Sequence, residues 1–216
     1  MEIKVLKNIL SANEQLAEKN RDLFDKNKVF TVNIMASPGA GKTSLILETI
    51  KRLKGKIRVG VIEGDVSSSV DAEMVGKEGV PVIQINTGGS CHLDANMVAN
   101  ALASLPLSDI DLLFVENVGN LICPAGFALG EQRKVIVSSI PEGDDKPLKY
   151  PVMFHEADVV VLNKTDLLPY VKFSPDAFSQ ALKGINEKLE IITVSCTTGQ
   201  GLDDWVSWLE KQMTAR

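Results

Sequence analysis

Apolar and β-branched residues cluster in seven short runs, at 29–36, 57–62, 80–85, 111–115, 133–138, 157–162 and 190–194. Short runs of this kind bounded by turn residues predict strands. Because most are continuous rather than alternating, they predict strands covered on both faces. Stretches with apolar residues at helical spacing fill most of the gaps, notably 42–53, 92–104, 174–188 and 201–213. Repeated strand–helix alternation of this kind predicts an α/β fold, a three-layer sandwich with a mostly parallel central sheet. Right-handed crossovers then gather the ligand-binding loops at the carboxyl ends of the strands.

Ahead of the first run, residues 4–26 are rich in polar side chains, with Val5, Ile9, Leu16, Leu23 and Phe24 recurring at roughly helical spacing. This predicts an amphipathic N-terminal helix packed on the main body, with a mobile arm as the alternative. The chain accordingly divides into an N-terminal helix or arm, 1–28, and a main α/β domain, 29–216. The most polar loop, Pro141–Pro147, is expected to be a mobile connection. No internal repeat or low-complexity segment is present.

The 216 residues are 44% hydrophobic and 24% charged, which suits one compact domain. The formal net charge is −5 and no Lys/Arg block stands out, so the footprint of a nucleic-acid binder is missing. No apolar stretch reaches the length of a membrane span or signal core. Three cysteines argue against a disulfide framework and fit reduced thiols. Together these features predict a cytoplasmic protein with no nucleic-acid or membrane partner.

Candidate chemistry narrows the picture. Ala36-Ser37-Pro38-Gly39-Ala40-Gly41-Lys42-Thr43 joins a predicted strand to a predicted helix, the context a phosphate-binding loop requires. Its glycines let backbone N–H groups turn toward phosphates, and the helix N-terminus favours an anion. The sandwich is thus expected to be a P-loop NTPase. Lys42 is expected to reach the β- and γ-phosphates and Thr43 to hold Mg²⁺, with Gly39, Ala40, Gly41 and Ser44 completing the cradle. The strand 111–115 runs into Glu116-Asn117-Val118-Gly119, which places an acid near Mg²⁺ and a glycine amide near the γ-phosphate. Asp65 ends another strand and Asp71 follows it. One or both could contact Mg²⁺ or orient the attacking water, with helix capping or simple solvation as the alternative.

Asn163-Lys164-Thr165-Asp166 follows the strand 157–162. The Asp166 carboxylate can accept from the N1–H and exocyclic amine of guanine, a pattern adenine does not offer, and a wrong base would leave a buried group unpaired. Asn163 is expected to hold the loop and approach the base, and the stem of Lys164 to cover its plane. Ser195-Cys196-Thr197 is expected to add a backbone N–H contact to the base. Cys91-His92 and Cys123 remain as thiolate and imidazole donors of the kind Zn²⁺ or Ni²⁺ takes. Three donors leave a tetrahedral site incomplete, so it would keep an open position or be completed across a two-fold dimer. Buried thiols with a solvated histidine are the alternative.

The chain resembles the HypB family of nickel-handling GTPases. The resemblance covers residues 29–210 and rests most specifically on three segments: Cys91-His92-Leu93-Asp94-Ala95, Glu116-Asn117-Val118-Gly119-Asn120-Leu121-Ile122-Cys123-Pro124, and the Glu142–Pro151 stretch. It implies a Cys91, His92, Cys123 metal site at a homodimer interface promoted by GTP and metal. It also implies GTP hydrolysis to GDP coupled to nickel delivery, with a HypA-like zinc protein as partner and the large subunit of nickel–iron hydrogenase as client. Residues 1–28 carry neither the Cys-rich nor the His-rich stretch of many relatives, so a tight second nickel store is not expected. Ala128 stands where relatives often have Asp, and Ser68 where they often have Thr. A urease-type accessory GTPase is disfavoured because Cys123-Pro124-Ala125 lacks the histidine of that relative. A metal store with little turnover is disfavoured by the intact Lys42, Thr43, Asn163 and Asp166.

Overall fold

The computed structural model describes residues 9–215. Helix α1 (Ile9–Asn27) leads into strand β1 (Phe30–Ala36), and α2 (Lys42–Leu53) follows the glycine-rich turn. Then come β2 (Val59–Asp65), α3 (Val70–Gly76), β3 (Val82–Asn86), α4 (Ala95–Leu102), β4 (Leu112–Glu116) and β5 (Arg133–Ser139). The short helices α5 (Lys146–Lys149) and α6 (Pro151–His155) precede β6 (Val159–Asn163), α7 (Pro175–Ile185), β7 (Glu190–Thr193) and α8 (Leu202–Thr214).

The seven strands form one all-parallel sheet in the order β3-β2-β4-β1-β5-β6-β7. β1 lies at its centre, with Phe30 beside Leu112 of β4 and Val32 beside Arg133 of β5. Strand order reverses at β1, so the crevice above its carboxyl end is the switch point where such sheets bind ligands. β1, β4 and β6 are buried throughout, as continuous apolar runs predict.

Side chains alternate between the two faces. Val32 and Ile34 of β1 join Leu45, Ile46 and Ile50 of α2 and Trp205 and Leu209 of α8 on one face. The Trp205 indole N–H donates to Thr49 Oγ1 at 2.8 Å, fixing α8 to α2. The other face carries two clusters, one under α1 and α4 around Phe24, Val98 and Leu113, the other under α6 and α7 around Phe154 and Phe178. Asp94 caps α4 through Met97 N (2.8 Å), and Ser174 caps α7 through Ala177 N (3.2 Å), each satisfying an orphan donor of the first turn.

α1 differs from its expected apolar stripe. Its buried face is Asn13, Ala17, Asn20 and Phe24, while Leu23 is exposed. Val5 lies outside the described residues. The asparagines are tolerated because each satisfies its amide on backbone groups. Asn13 donates to Ala128 O and accepts from Ala95 N, both at 2.8 Å. Asn20 donates to Ala95 O (2.9 Å) and Leu129 O (3.0 Å).

The Pro141–Pro147 segment is also more ordered than a mobile connection. Residues Ile140–Glu142 form a 3-10 turn, with Glu142 Oε2 accepting from Ser139 N and Oγ, each at 2.8 Å. Asp144 Oδ2 accepts from Ser174 N at 2.8 Å, which ties the segment to the start of α7. Its polarity reflects local capping rather than solvation.

Candidate nucleotide and metal sites

Three loops meet above the carboxyl ends of β1, β4 and β6. The Ser37–Gly41 loop leaves β1 and turns at Gly41, where φ is 101° and a Cβ would run into Asn163 Nδ2. No side chain fits that approach, so glycine is required on steric as well as torsional grounds. Asn163, at the end of β6, donates to Ala40 O at 3.0 Å and accepts from Lys164 N (2.7 Å) and Cys196 N (3.2 Å). Lys164 sits at φ 62° and sends Nζ to Gly39 O at 2.6 Å. The Asn163–Asp166 loop is therefore stitched to the Ser37–Gly41 loop. Ala40 is buried beneath the turn, and Ser44 lies exposed at the start of α2.

Lys42 and Thr43 open α2 and both meet Glu116. Lys42 Nζ lies 3.5 Å from Glu116 Oε1, and Thr43 Oγ1 donates to the same oxygen at 3.0 Å. Glu63 of β2 stands beside Glu116 in register. Both are buried, and Glu63 Oε1 and Glu116 Oε2 have no hydrogen-bond partner among the described residues. Burial, and then the neighbouring Glu116 charge, push the Glu63 carboxyl up to about 11. Burial also raises Glu116, against the opposing charge of Lys42. Two adjacent buried acids strongly disfavour joint ionisation unless a cation lies near them. Thr43 Oγ1 and the orphaned Glu116 oxygen are therefore a donor set suited to Mg²⁺, a hard cation that takes oxygen ligands.

Glu63 carries no expectation from the sequence. The available signal is an ionisable residue that directly follows the apolar run 59–62 within β2, two positions on from Val61, which packs with α2. Asp65, at the end of β2, turns inward on its own loop, its Oδ1 accepting from Ser67 N (2.9 Å) and Ser68 N (2.8 Å). Those bonds lower its carboxyl, with a smaller contribution from Lys42. Asp71, in the first turn of α3, is near enough to raise both Glu63 and Glu116. Gly119 packs against the phosphate loop, and a Cβ there would lie 3.0 Å from Pro38 N. That close approach holds the turn after β4 on the phosphate loop.

In the base loop, Asp166 Oδ1 accepts from Ser195 Oγ at 2.6 Å, leaving the other oxygen free of that bond. The Ser195 and Cys196 amides, expected to offer a contact to a base, are paired within the protein in this structure. Ser195 N is bonded to Gln200 O (2.9 Å) and Cys196 N to Asn163 Oδ1 (3.2 Å). The turn folds its own amides inward, so these residues shape the loop. Burial pushes the Cys196 thiol up to about 11, as expected of a thiol outside the metal cluster.

The Cys91, His92 and Cys123 donor atoms lie within 4.8 Å of one another. Cys91 Sγ is 3.6 Å from His92 Nδ1. A tetrahedral ion with ligand bonds of about 2.0–2.3 Å needs donors roughly 3.5–3.8 Å apart, so little closure is required. Cys91 and His92 precede α4, and Cys123 opens the 3-10 turn Cys123–Gly126 beyond Gly119. Phe127 stacks on His92 with ring centroids 3.9 Å apart. Cys123 raises the Cys91 thiol, with burial adding less, while burial lowers His92. Asn120 Nδ2 donates to Cys91 O at 3.2 Å, linking the two arms.

Comparison with known proteins agrees with this geometry. Residues 30–193 match the CobW/HypB/UreG nucleotide-binding domain. The chain is 50% identical to hydrogenase maturation factor HypB of Escherichia coli over 207 residues, covering 96% of this chain and 71% of that protein. It is 43% identical to the probable HypB of Methanocaldococcus jannaschii, covering 98% and 96% of the two chains. The structure of HypB from Helicobacter pylori in complex with nickel superposes with a TM-score of 0.91 at 34% identity, over 95% of this chain and 96% of that one. HypB from Archaeoglobus fulgidus gives 0.88 at 41% identity, over 94% and 99%. A nucleotide-binding fold with a thiol–imidazole cluster beside its phosphate loop, together with identities of this extent, places the chain in the CobW/HypB/UreG family, among the HypB hydrogenase maturation factors.

Proposed function

We propose that this protein is a GTP-hydrolysing metallochaperone that couples GTP-dependent dimerisation to nickel binding and delivery during nickel–iron hydrogenase maturation. The observation that carries the proposal is the position of the metal donors. Cys123 lies on the segment that continues from Gly119, which packs on the phosphate loop, and Cys91 and His92 approach it from the opposite side. A γ-phosphate that reorders the turn at Gly119 would therefore also move a thiolate ligand.

The same proposal assigns the remaining roles. Gly39, Ala40, Gly41, Lys42, Thr43 and Ser44 bind the phosphates, with Gly119 at the γ-phosphate. Thr43, Glu116 and Asp65 hold Mg²⁺, whose charge would offset the buried acids, and Asp65 or Asp71 orients the water. Asp166 reads guanine, Lys164 covers it and Asn163 braces the loop. The Ser195-Cys196-Thr197 turn adds a backbone N–H contact to the base, and the Thr197 amide makes no bond among the described residues. Cys91, His92 and Cys123 take Ni²⁺ as cargo or Zn²⁺ in its place. Val70, Met74, Ile122, Leu148 and Val152 are exposed apolar residues of the α3, Cys123 and α5–α6 segments, and a second copy would cover them. A HypA-like zinc protein and the hydrogenase large subunit are the proposed partner and client, in the cytoplasm. Among the described residues no helix is long and apolar enough to cross a membrane.

The test is to titrate Ni²⁺ and Zn²⁺ into the protein loaded with GDP or a slowly hydrolysed GTP analogue, following affinity and dimer fraction together. Coupled changes that disappear when Cys91 and Cys123 are both replaced by Ala support the proposal. Metal affinity and dimer fraction indifferent to nucleotide would sink it.

A further inference from the structure

A single buried chain of hydrogen bonds runs from the segment beyond Cys123, through the central strand, to the loop that carries Cys91 and His92. It starts at Glu131, whose Oε2 accepts from Leu129 N at 2.7 Å and whose Oε1 accepts from Asn33 Nδ2 at 3.2 Å. Asn33 lies in β1, among the apolar residues that lead to the phosphate loop. Its Oδ1 accepts from Asn117 Nδ2 at 3.2 Å. Asn117 directly follows Glu116. Its Oδ1 accepts from Val118 N and from Leu93 N, each at 3.0 Å. Asn33 and Asn117 are fully buried and Glu131 nearly so.

The chain has a direction fixed at one end. A carboxylate only accepts, so Glu131 selects the NH₂ of Asn33. That turns the Asn33 carbonyl oxygen to Asn117, whose NH₂ must donate. The Asn117 carbonyl oxygen is then left for two backbone N–H groups. Reversing either amide sets donor against donor or acceptor against acceptor among fully buried side chains, where an unpaired polar group is costly. One oxygen thus holds Val118, just before the Gly119 turn, and Leu93, just after Cys91-His92. Leu93 is itself wedged at the end of β2, where a Cβ on Gly64 would lie 2.7 Å from Leu93 Cδ1. A second hydrogen bond between these arms, from Asn120 to Cys91 O, is exposed and open to competition from solvent.

We propose that Asn117, oriented by Asn33 and Glu131, is the positioning residue that couples the nucleotide-sensing turn to the metal donors. When the Val118–Gly119 backbone shifts, the shared Asn117 oxygen carries Leu93 with it or loses one bond. Either event displaces Cys91 and His92 relative to Cys123. The inference rests on the nucleotide-gated reading above and assigns that gating to one side chain.

The experiment uses the full chain as wild type, Asn117→Ala and Glu131→Gln. Glu131→Gln removes no heavy atom, but its amide must satisfy both Leu129 N and Asn33. The Gln oxygen goes to Leu129, its NH₂ reverses the polarity of the chain, and the Asn117 NH₂ ends against Leu93 N–H. This variant keeps the test open should Asn117→Ala fail to fold. Nickel affinity is measured with GDP and with a GTP analogue, along with the thiolate-to-nickel charge-transfer absorption and guanine-nucleotide affinity. Wild type is expected to show about a tenfold nickel-affinity difference between nucleotide states, and both variants a ratio near unity with nucleotide still bound. A variant that melts earlier but keeps the wild-type ratio and spectrum overturns the proposal. If wild type itself shows no nucleotide dependence, the gating reading fails. The positioning role is then judged on the charge-transfer band alone, and an unchanged band in the variants refutes it.

Discussion

The Asn163–Asp166 loop and the cysteine–histidine loops both lie at the carboxyl end of the sheet, on opposite sides of β1, and are built in opposite ways. At the base loop, Asn163, Lys164, Asp166 and Ser195 bond to one another or to the phosphate loop, and Asn163 and Ser195 are buried. Its geometry is set before any ligand arrives, as discrimination by unpaired polar groups requires. At the metal loop, Cys91 is exposed, His92 and Cys123 are half-buried, and the donors come from two arms joined by few hydrogen bonds. Selectivity favours a rigid cradle, whereas capture and release of a cargo favour a site that a small backbone shift can open.

The comparison breaks most visibly if the two regions fail to separate under mutation. Asp166→Ala should produce the largest change, reducing the preference for GTP over ATP by about 10²-fold or more in competition binding while nickel affinity in the nucleotide-free protein holds. Lys42→Ala should lower the hydrolysis rate by about 10²–10³-fold, again sparing nucleotide-free nickel binding. Even in wild type that rate should be slow, about 10⁻⁴–10⁻² s⁻¹ in a single-turnover assay, because among the described residues no arginine bonds to the phosphate loop or to Glu116. On the metal side, Cys123→Ser should weaken nickel binding by at least the roughly 10–100-fold typical of losing an outer partner, with GDP affinity unchanged by calorimetry.

The smaller effects sharpen the contrast by testing the scaffold beneath both loops. Trp205→Ala, which empties the α2–α8 face and frees Thr49, should cost about 3–5 kcal/mol in denaturant unfolding. Asp111→Asn should have the slightest effect. Its partner Arg58 holds the Asp111 carboxyl below its usual value. A depressed carboxyl stabilises the fold above its unfolded value near 3.8 and loses that contribution as pH falls through the folded value. The melting difference between wild type and variant should therefore narrow in acid.

Much of this arrangement is legible in the sequence because it is written in local pattern. The continuous apolar runs become the seven strands, and the predicted helix over 42–53 coincides with α2. The residues of the three motifs converge because each follows a strand of one parallel sheet. What stayed hidden depends on partners far along the chain. Glu63 reads as the polar end of a strand until Glu116 stands beside it. Asn13 and Asn20 read as solvent-facing positions of an amphipathic helix until Ala95 and Leu129 arrive to bond them. The inward-turned amides of Ser195 and Cys196 depend on Gln200 and Asn163, which no spacing rule connects.

The central place of β1 has a consequence for how the protein is made. The strand leaves the ribosome before both of its neighbours, β4 and β5, with Phe30 waiting for Leu112 and Val32 for Arg133. The phosphate loop therefore cannot close around nucleotide until those later strands have been synthesised, and an apolar segment stays unpaired meanwhile. Such long-range parallel pairing folds slowly and exposes the nascent chain to aggregation. Translation rate and chaperone supply would then limit the yield of active protein more than the stability of the finished sheet.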